Sequence, residues 1–234
     1  MKPFIFKHFS LQQDRCAMKI GTDGCLLGAW ANGEGAKNVL DIGTGTGLIA
    51  SMLAQRFPSA RIDALELDAH AAEQALENCR TGPFADRIRV VHQDVLEWNE
   101  KGYDLIVCNP PFFEESSSSA TGEARAAARQ EDKLNAKTLM EVSVQLASET
   151  GKLAVVWPAR RKELLLEHAS ISGWHVRIEC SLFPTPEKEC HRVLLSFEKT
   201  KGNTERESLI IEEFGRHQYS DAYKLLLKDF YLKF

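Results

Sequence analysis

An α/β fold, with a mainly parallel sheet and helices on both faces, is predicted by three features of this sequence. Short apolar runs alternate with stretches of helical spacing along most of the chain, the pattern that repeated βαβ units require. A glycine-rich turn, Gly43-Thr-Gly45-Thr-Gly47, joins the first strand-like run of this series to a long helical stretch. Successive runs end near Asp41, Glu66, Asp94 and Asn109, which puts polar side chains beyond the strands' carboxyl ends, where open parallel sheets bind ligands.

Asp23–Ala31 reads as a helix with Asp23 near its start. A short apolar strand beginning at Asn38 runs into the glycine turn. Leu48–Phe57 follows as a helix, its apolar positions Leu48, Met52, Leu53 and Phe57 falling on one face. Arg61–Leu67 is the second strand and Ala69–Arg80 the helix after it; Ile88–His92 and Tyr103–Cys108 are the next two strands. Asn135–Ala147 is helical, Lys152–Trp157 is the fifth strand, and Arg160–Ser172 is helical again. Trp174–Phe183 and His191–Glu198, joined through Pro184-Thr-Pro186, form a final antiparallel pair. The sum is a seven-stranded sheet with an antiparallel last strand. No internal repeat or second domain is evident, so 1–234 reads as one domain. Residues 1–37 form an N-terminal extension with a helix, 38–200 the core, and 201–234 a C-terminal extension. The span 114–132, rich in Ser, Ala and charge, is expected to be a mobile loop over the target site.

The most informative stretch is Asn109-Pro110-Pro111-Phe112, directly after the strand Tyr103–Cys108. Proline cannot donate to a ladder, so two in succession stop pairing and hold the backbone stiff. The Asn109 amide and Pro110 carbonyl then form a rigid pair of acceptors, with the Phe112 ring beside them. That set suits a planar substrate carrying an –NH2 group, whose lone pair is delocalised into the ring. Accepting both hydrogens favours pyramidalisation, which is catalysis by preorganisation and orientation. A strand end with a rigid turn is the plainer account of the same residues.

The upstream residues supply context. The turn is Gly-x-Gly-x-Gly, not the Gly-x-Gly-x-x-Gly that wraps a dinucleotide pyrophosphate. Asp41, just ahead of it, disfavours a phosphate and tolerates a cationic cofactor. Glu66 is placed to accept from ribose hydroxyls, and Asp94 from an adenine amino group. For Asp23, helix capping is the plain reading.

Together these residues resemble the class I S-adenosylmethionine-dependent methyltransferases. Within that class the chain is similar to the bacterial tRNA (adenine-N6) methyltransferases, which act on the adenosine 3′ of the anticodon in valine tRNA. Gly21–Trp30, Ala128-Arg129-Gln130-Glu131, and the ending from Gly215 through Phe230-Tyr-Leu232 match that family's pattern. The tetraserine run Ser116–Ser119 does not belong to it. The resemblance implies a Rossmann-like fold and S-adenosylmethionine as cofactor, with S-adenosylhomocysteine as product. It implies that Asp41, Gly43, Gly45, Gly47 and Glu66 hold that cofactor, that Asp94 binds its adenine, and that Asn109, Pro110, Pro111 and Phe112 form the target-base site. It also suggests Asp23 as a carboxylate on the cofactor or substrate side.

With 234 residues, 44% of them hydrophobic, the chain can bury one large core. No apolar run approaches the roughly 18–20 residues that span a bilayer, and the N-terminus lacks a signal-peptide pattern. The six cysteines include no Cys-x-x-Cys pair, so a reducing cytoplasm is expected and a metal is not. Cys108 is expected to pack as a small hydrophobe. A net charge of −4 argues against a generally basic, RNA-coating protein. Contact with a tRNA partner must come from local patches, and Arg125 and Arg129 beside the target loop are the first candidates, ahead of Arg160–Lys162 and Lys224, Lys228 and Lys233. A monomer is expected.

Three other functions share part of this pattern. Protein-glutamine N5-methyltransferases use Asn-Pro-Pro-aromatic on a planar amide, but carry a substantial helical domain before the glycine turn. Ribosomal RNA guanine-N2 methyltransferases share the motif and usually carry an additional domain. A non-catalytic binding scaffold would have no reason to keep both Glu66 and Asn109–Phe112.

Overall fold

Buried parallel strands are apolar on both faces, and here they assemble as one sheet with helices to either side. The computed structural model describes residues 2–16, 18–111 and 134–234. A small antiparallel ribbon comes first, β1 (Phe4–Ile5) against β2 (Ser10–Leu11). The main strands are β3 (Asn38–Ile42), β4 (Arg61–Glu66), β5 (Ile88–His92), β6 (Tyr103–Cys108), β7 (Ala147–Pro158), β8 (His175–Phe183), β9 (Arg192–Glu198) and β10 (Glu205–Ile210). The helices are α1 (Thr22–Trp30), α2 (Leu48–Arg56), α3 (Ala69–Thr81), α4 (Ala136–Leu146), α5 (Lys162–Ser172) and α6 (Asp221–Leu227). Among the described residues the sheet order is β10-β8-β9-β7-β6-β3-β4-β5, and β9 alone runs against its neighbours.

The seven expected strands are present, with the antiparallel β9 seated between β7 and β8. An eighth, β10, extends the edge parallel to β8. Its sequence, Glu-Arg-Glu-Ser-Leu-Ile, is mostly exposed and carries no period-2 apolar signal, so ladder bonds rather than side-chain burial hold it. Helix α6 was likewise not anticipated; Ser220 caps it by accepting from the Tyr223 amide. Side-chain caps also begin α3, through Asp68, and α4, through Asn135. The other boundaries fall within a residue or two of expectation, except that β7 starts at Ala147, earlier than expected.

Alternate residues of the central strands feed two cores. Val39, Leu105, Val107, Ala154 and Val156 pack under α1 and α2. Leu40, Ile42, Ile106, Cys108, Leu153, Val155 and Trp157 pack under α4 and α5. Cys108 is fully buried, as a small hydrophobe would be. No helix among the described residues is long and apolar enough to cross a membrane.

The chain runs from β3 through β4 to β5 on one side, then returns to β6 and β7 on the other, so the order reverses between β3 and β6. Ile42 lies level with both Leu65 and Cys108. The next residues along, Gly43, Glu66 and Asn109, therefore leave the sheet side by side. That register builds the site.

Candidate active site

Asp41 lies on the β3 face that packs against α2. It is completely buried, and its Oδ2 accepts from the Thr44 hydroxyl at 2.6 Å and the Ala50 amide at 3.1 Å. Ala50 sits in the first turn of α2, whose cap residue Gly47 supplies no side chain, so Asp41 caps that helix from the preceding strand. An acid there also complements the helix dipole. Its role is to shape the glycine turn from beneath; its side chain does not line a cavity.

Burial pushes the Asp41 carboxyl from 3.8 up to about 7; the Thr44 and Ala50 hydrogen bonds pull it back in part, and the charge of Glu66 adds to the rise. Between those values the folded protein holds a proton that the unfolded chain has lost, so this group's contribution to stability falls as the pH rises through that window. Asp41→Asn is therefore expected to flatten the corresponding segment of the stability–pH curve. Urea midpoints of the cofactor-free protein and the variant from about pH 4 to about pH 8 check this.

The turn above Asp41 needs glycine for two different reasons. Gly45 has φ 58° and would have open space for a side chain, so its requirement is conformational. Gly47 has φ 81°, and a Cβ there would also fall 2.8 Å from Cys79 Sγ. The amides of Gly43 and Thr44 both donate to the Leu65 carbonyl at 2.9 Å, which ties the turn to the end of β4.

Glu66 anchors the middle of the site. It accepts from the Gly45 amide through Oε2 at 2.9 Å, and from the Leu67 and Asp68 amides through Oε1 at 2.8 and 2.9 Å. Burial pushes its carboxyl above the usual range, and the three amides offset part of the rise. Two cavities meet at Gly43, Glu66 and Pro111. The smaller, about 60 Å³, is an apolar slot between Leu65, Val95, Leu96 and Pro110, with Asp94 on its wall. Asp94 also caps a short turn by accepting from the Leu96 amide at 3.0 Å. The larger, about 250 Å³, runs along the glycine turn and is lined by Asn109 and by residues of the segment preceding α1.

Asn109, Pro110 and Pro111 thus stand beside the glycine turn and Glu66, as the sequence pattern implied. Asn109 Nδ2 lies 3.5 Å from where a Cβ on Gly24 would stand, an ordinary contact distance, while Leu48 Cδ2 would be closer at 3.0 Å, so α1 passes beside both. Asp23 does not line either cavity. It forms an ion pair with Arg192 at the start of β9, 3.0 Å away, and the cap position before α1 is Gly21, which has no side-chain bond. His92 is bonded to the Leu67 carbonyl at 3.1 Å at a strand end. Of the more distant basic groups, Lys162 pairs with Glu179 at 2.7 Å and Lys224 with Asp221 at 3.1 Å. Phe112, Arg125, Arg129, Ser116–Ser119 and the loop 114–132 lie outside the described residues.

Sequence reasoning missed the segment from Gln12 to Gly21. Asn78 on α3 bonds both backbone groups of Gln12, at 2.8 and 2.9 Å, and donates to the Thr46 carbonyl of the glycine turn at 2.9 Å. Gln74, one helical turn earlier, accepts from the Arg15 amide at 3.2 Å. This strap brings Arg15, Cys16, Lys19, Ile20 and Gly21 to the wall of the larger cavity. The available signal was two amides, four residues apart, on the face of α3 that also buries Ala71 and Ala75.

An open sheet with this strand order, a glycine turn after its first long strand and an acid at the end of the second defines a class I S-adenosylmethionine-dependent methyltransferase. A predicted O-methyltransferase of Agrobacterium tumefaciens shares the fold: its structure covers 89% of this chain and 96% of its own, with a TM-score of 0.70 at 18% identity. The methyltransferase small domain model matches residues 25–167. The protein named tRNA1(Val) (adenine(37)-N6)-methyltransferase in Trichodesmium erythraeum is 43% identical, over 99% of this chain and 98% of its own. Its namesake in Flavobacterium psychrophilum is also 43% identical, over 98% and 99%. The chain belongs to the tRNA1(Val) (adenine(37)-N6)-methyltransferase family of methyltransferase small domain proteins.

Proposed function

We propose that this protein methylates N6 of adenosine in tRNA, using S-adenosylmethionine, and that its target is the adenosine at position 37, 3′ of the anticodon, of valine tRNA. The observation that carries the reading is the register that seats Asn109–Pro111 beside Gly43 and Glu66. Relatives of that name, matched along nearly the whole chain, support it.

S-adenosylmethionine fits the donor set. The apolar slot suits a purine ring, with Asp94 as acceptor for its amino group, and Glu66 at the junction suits ribose hydroxyls. The glycine turn, held open by Asp41 and Glu66, lets the backbone approach the rest of the molecule. When bound, the cofactor supplies an electrophilic methyl carbon, whose bond to sulfur breaks, the electron pair staying on sulfur, as the bond to nitrogen forms. The protein's part is orientation. Asn109 Oδ1 and the Pro110 carbonyl accept the two N6 hydrogens and turn the nitrogen lone pair out of the ring plane toward that carbon. The new bond leaves N6 positively charged and strongly acidic, and it gives up one of those hydrogens as a proton to water. Phe112 stacks on the extruded base, and Arg125 and Arg129 hold the adjoining phosphates. A loop adenosine costs less to extrude than a paired one. The chain acts as a single domain and monomer in the cytoplasm, with 1–37 and 201–234 as extensions of the core.

The test is methyl transfer from labelled S-adenosylmethionine to tRNA, ribosomal RNA and a release factor in parallel, with mass spectrometry of the nucleosides. N6-methyladenosine is expected in valine tRNA and is lost when that adenosine is replaced by guanosine. Equal incorporation after the replacement would sink the adenine assignment. Label only on a release-factor glutamine would transfer the reading to protein-glutamine methylation.

A further inference from the structure

A second, aromatic groove shares two wall residues with the larger active-site cavity. Ile20 and Gly21, on the strap, line the larger active-site cavity and also a groove of about 330 Å³ between the two ends of the chain. Phe4, Tyr219, Tyr231 and Lys233 form its other walls. The Tyr219 ring stacks on Tyr223 with centroids 4.9 Å apart, and Phe234 stands edge-on to Tyr219 at 5.3 Å.

The groove is prebuilt. The Lys7 amide donates to the Phe230 carbonyl at 2.8 Å, and its ammonium reaches the carbonyls of Lys228 and Phe234. These bonds fix the N-terminal ribbon against the C-terminal tail, so little ordering remains when a ligand enters. Around it, Ile5 is 56% and Leu232 60% exposed, an apolar rim with a lysine at one side.

We propose that this groove receives the base of the nucleotide next to the target adenosine, with Lys233 facing its phosphate. The inference rests on the proposed RNA methylation and adds a second nucleotide subsite to it. Three observations favour single-stranded RNA as the occupant. The groove shares Ile20 and Gly21 with the cavity that Asn109 and Pro111 line, so a nucleotide next to a base held at Asn109 is within reach along the same strap. Partly exposed aromatic rings are the usual platform for unstacked bases. A chain of net charge −4 has no general basic field to hold RNA, so stacking must carry more of the affinity.

The test compares parent, Tyr219→Ala and Tyr219→Phe on valine tRNA. It includes tRNAs made abasic at the nucleotide immediately 5′ or immediately 3′ of the target adenosine. Tyr219→Ala should raise KM for tRNA by about 5- to 150-fold, the span that loss of one base–aromatic stack implies. kcat and S-adenosylmethionine affinity should stay near parental, and Tyr219→Phe should restore KM. One of the two abasic tRNAs should show the same rise with the parent and no further rise with Tyr219→Ala. Lys233→Glu, at an exposed position, gives a second reading if Tyr219→Ala melts early: its KM should rise at low salt and approach parental at high salt. An unchanged KM in Lys233→Glu and in a folded Tyr219→Ala overturns the proposal, as do additive effects of the abasic site and the variant. So does a parental dimer in sedimentation that Tyr219→Ala dissolves, since a second copy would then fill the groove. A parent that methylates no tRNA overturns the proposed function itself, and the groove with it.

Discussion

Asn109→Ala is expected to slow methyl transfer at least about a hundredfold, the scale on which losing one preorganised electrostatic contact reduces kcat. S-adenosylmethionine affinity should change little. The two expectations separate because different residues carry them. In the proposed site, cofactor binding draws on Glu66, the glycine turn and the apolar slot behind Pro110, none of which the truncation removes. The reaction needs both N6 hydrogens accepted at once, and alanine leaves only the Pro110 carbonyl. Pro110 and Pro111 still fix the backbone, so the fold and the register of β6 with β3 and β7 should survive. Asn109→Asp, which keeps an acceptor oxygen, should retain more activity than Asn109→Ala. Single-turnover rates at saturating cofactor, beside calorimetric titration, make the comparison. A parental rate in Asn109→Ala would end the acceptor-pair account.

What the sequence made legible was what burial makes simple. Strands β3, β4 and β6 lie inside a parallel sheet, so they read as apolar runs, and the polar residue at the end of each stands out against them. Asp41, Glu66 and Asn109 stand out that way; register places Glu66 and Asn109 beside Gly43, with Asp41 two residues earlier, level with Ala64 and Val107. Their bonds were not visible. Asp41 read as a carboxylate meeting the cofactor, yet it is buried beneath the turn with its partners in Thr44 and Ala50. Asp23 read as a cap or a site carboxylate, yet its partner is Arg192, 169 residues away. The strap depends on bonds from Gln12 to Asn78 across 66 residues, and β10 on a ladder to β8 that its charged sequence does not advertise. Local pattern reports burial and turns. It does not report which distant polar group satisfies which.

Glu66→Ala is expected to weaken S-adenosylmethionine binding by about 10- to 150-fold, from roughly 1.5–3 kcal/mol for a hydrogen bond to a charged group. The structure makes the upper part of that range the expected one. The carboxylate is bonded to three amides, of Gly45, Leu67 and Asp68, so truncation removes the proposed ribose contact and also one of the glycine turn's ties to β4, leaving those to the Leu65 carbonyl. Glu66→Gln sharpens the test. Its oxygen can keep the Leu67 and Asp68 amides, but its –NH2 then faces the Gly45 N–H, donor against donor. Affinity should fall between parent and alanine. The carboxyl's raised pKa gives a further reading, since lowering the pH adds a proton and removes acceptor capacity. Affinity should therefore drop on acidification in the parent more steeply than in Glu66→Ala. At saturating cofactor, Glu66→Ala should recover most of its methyl-transfer rate, the opposite of Asn109→Ala, because the acceptor pair on the amine is intact. Calorimetry that finds parental affinity in a folded Glu66→Ala would take this residue out of the cofactor site.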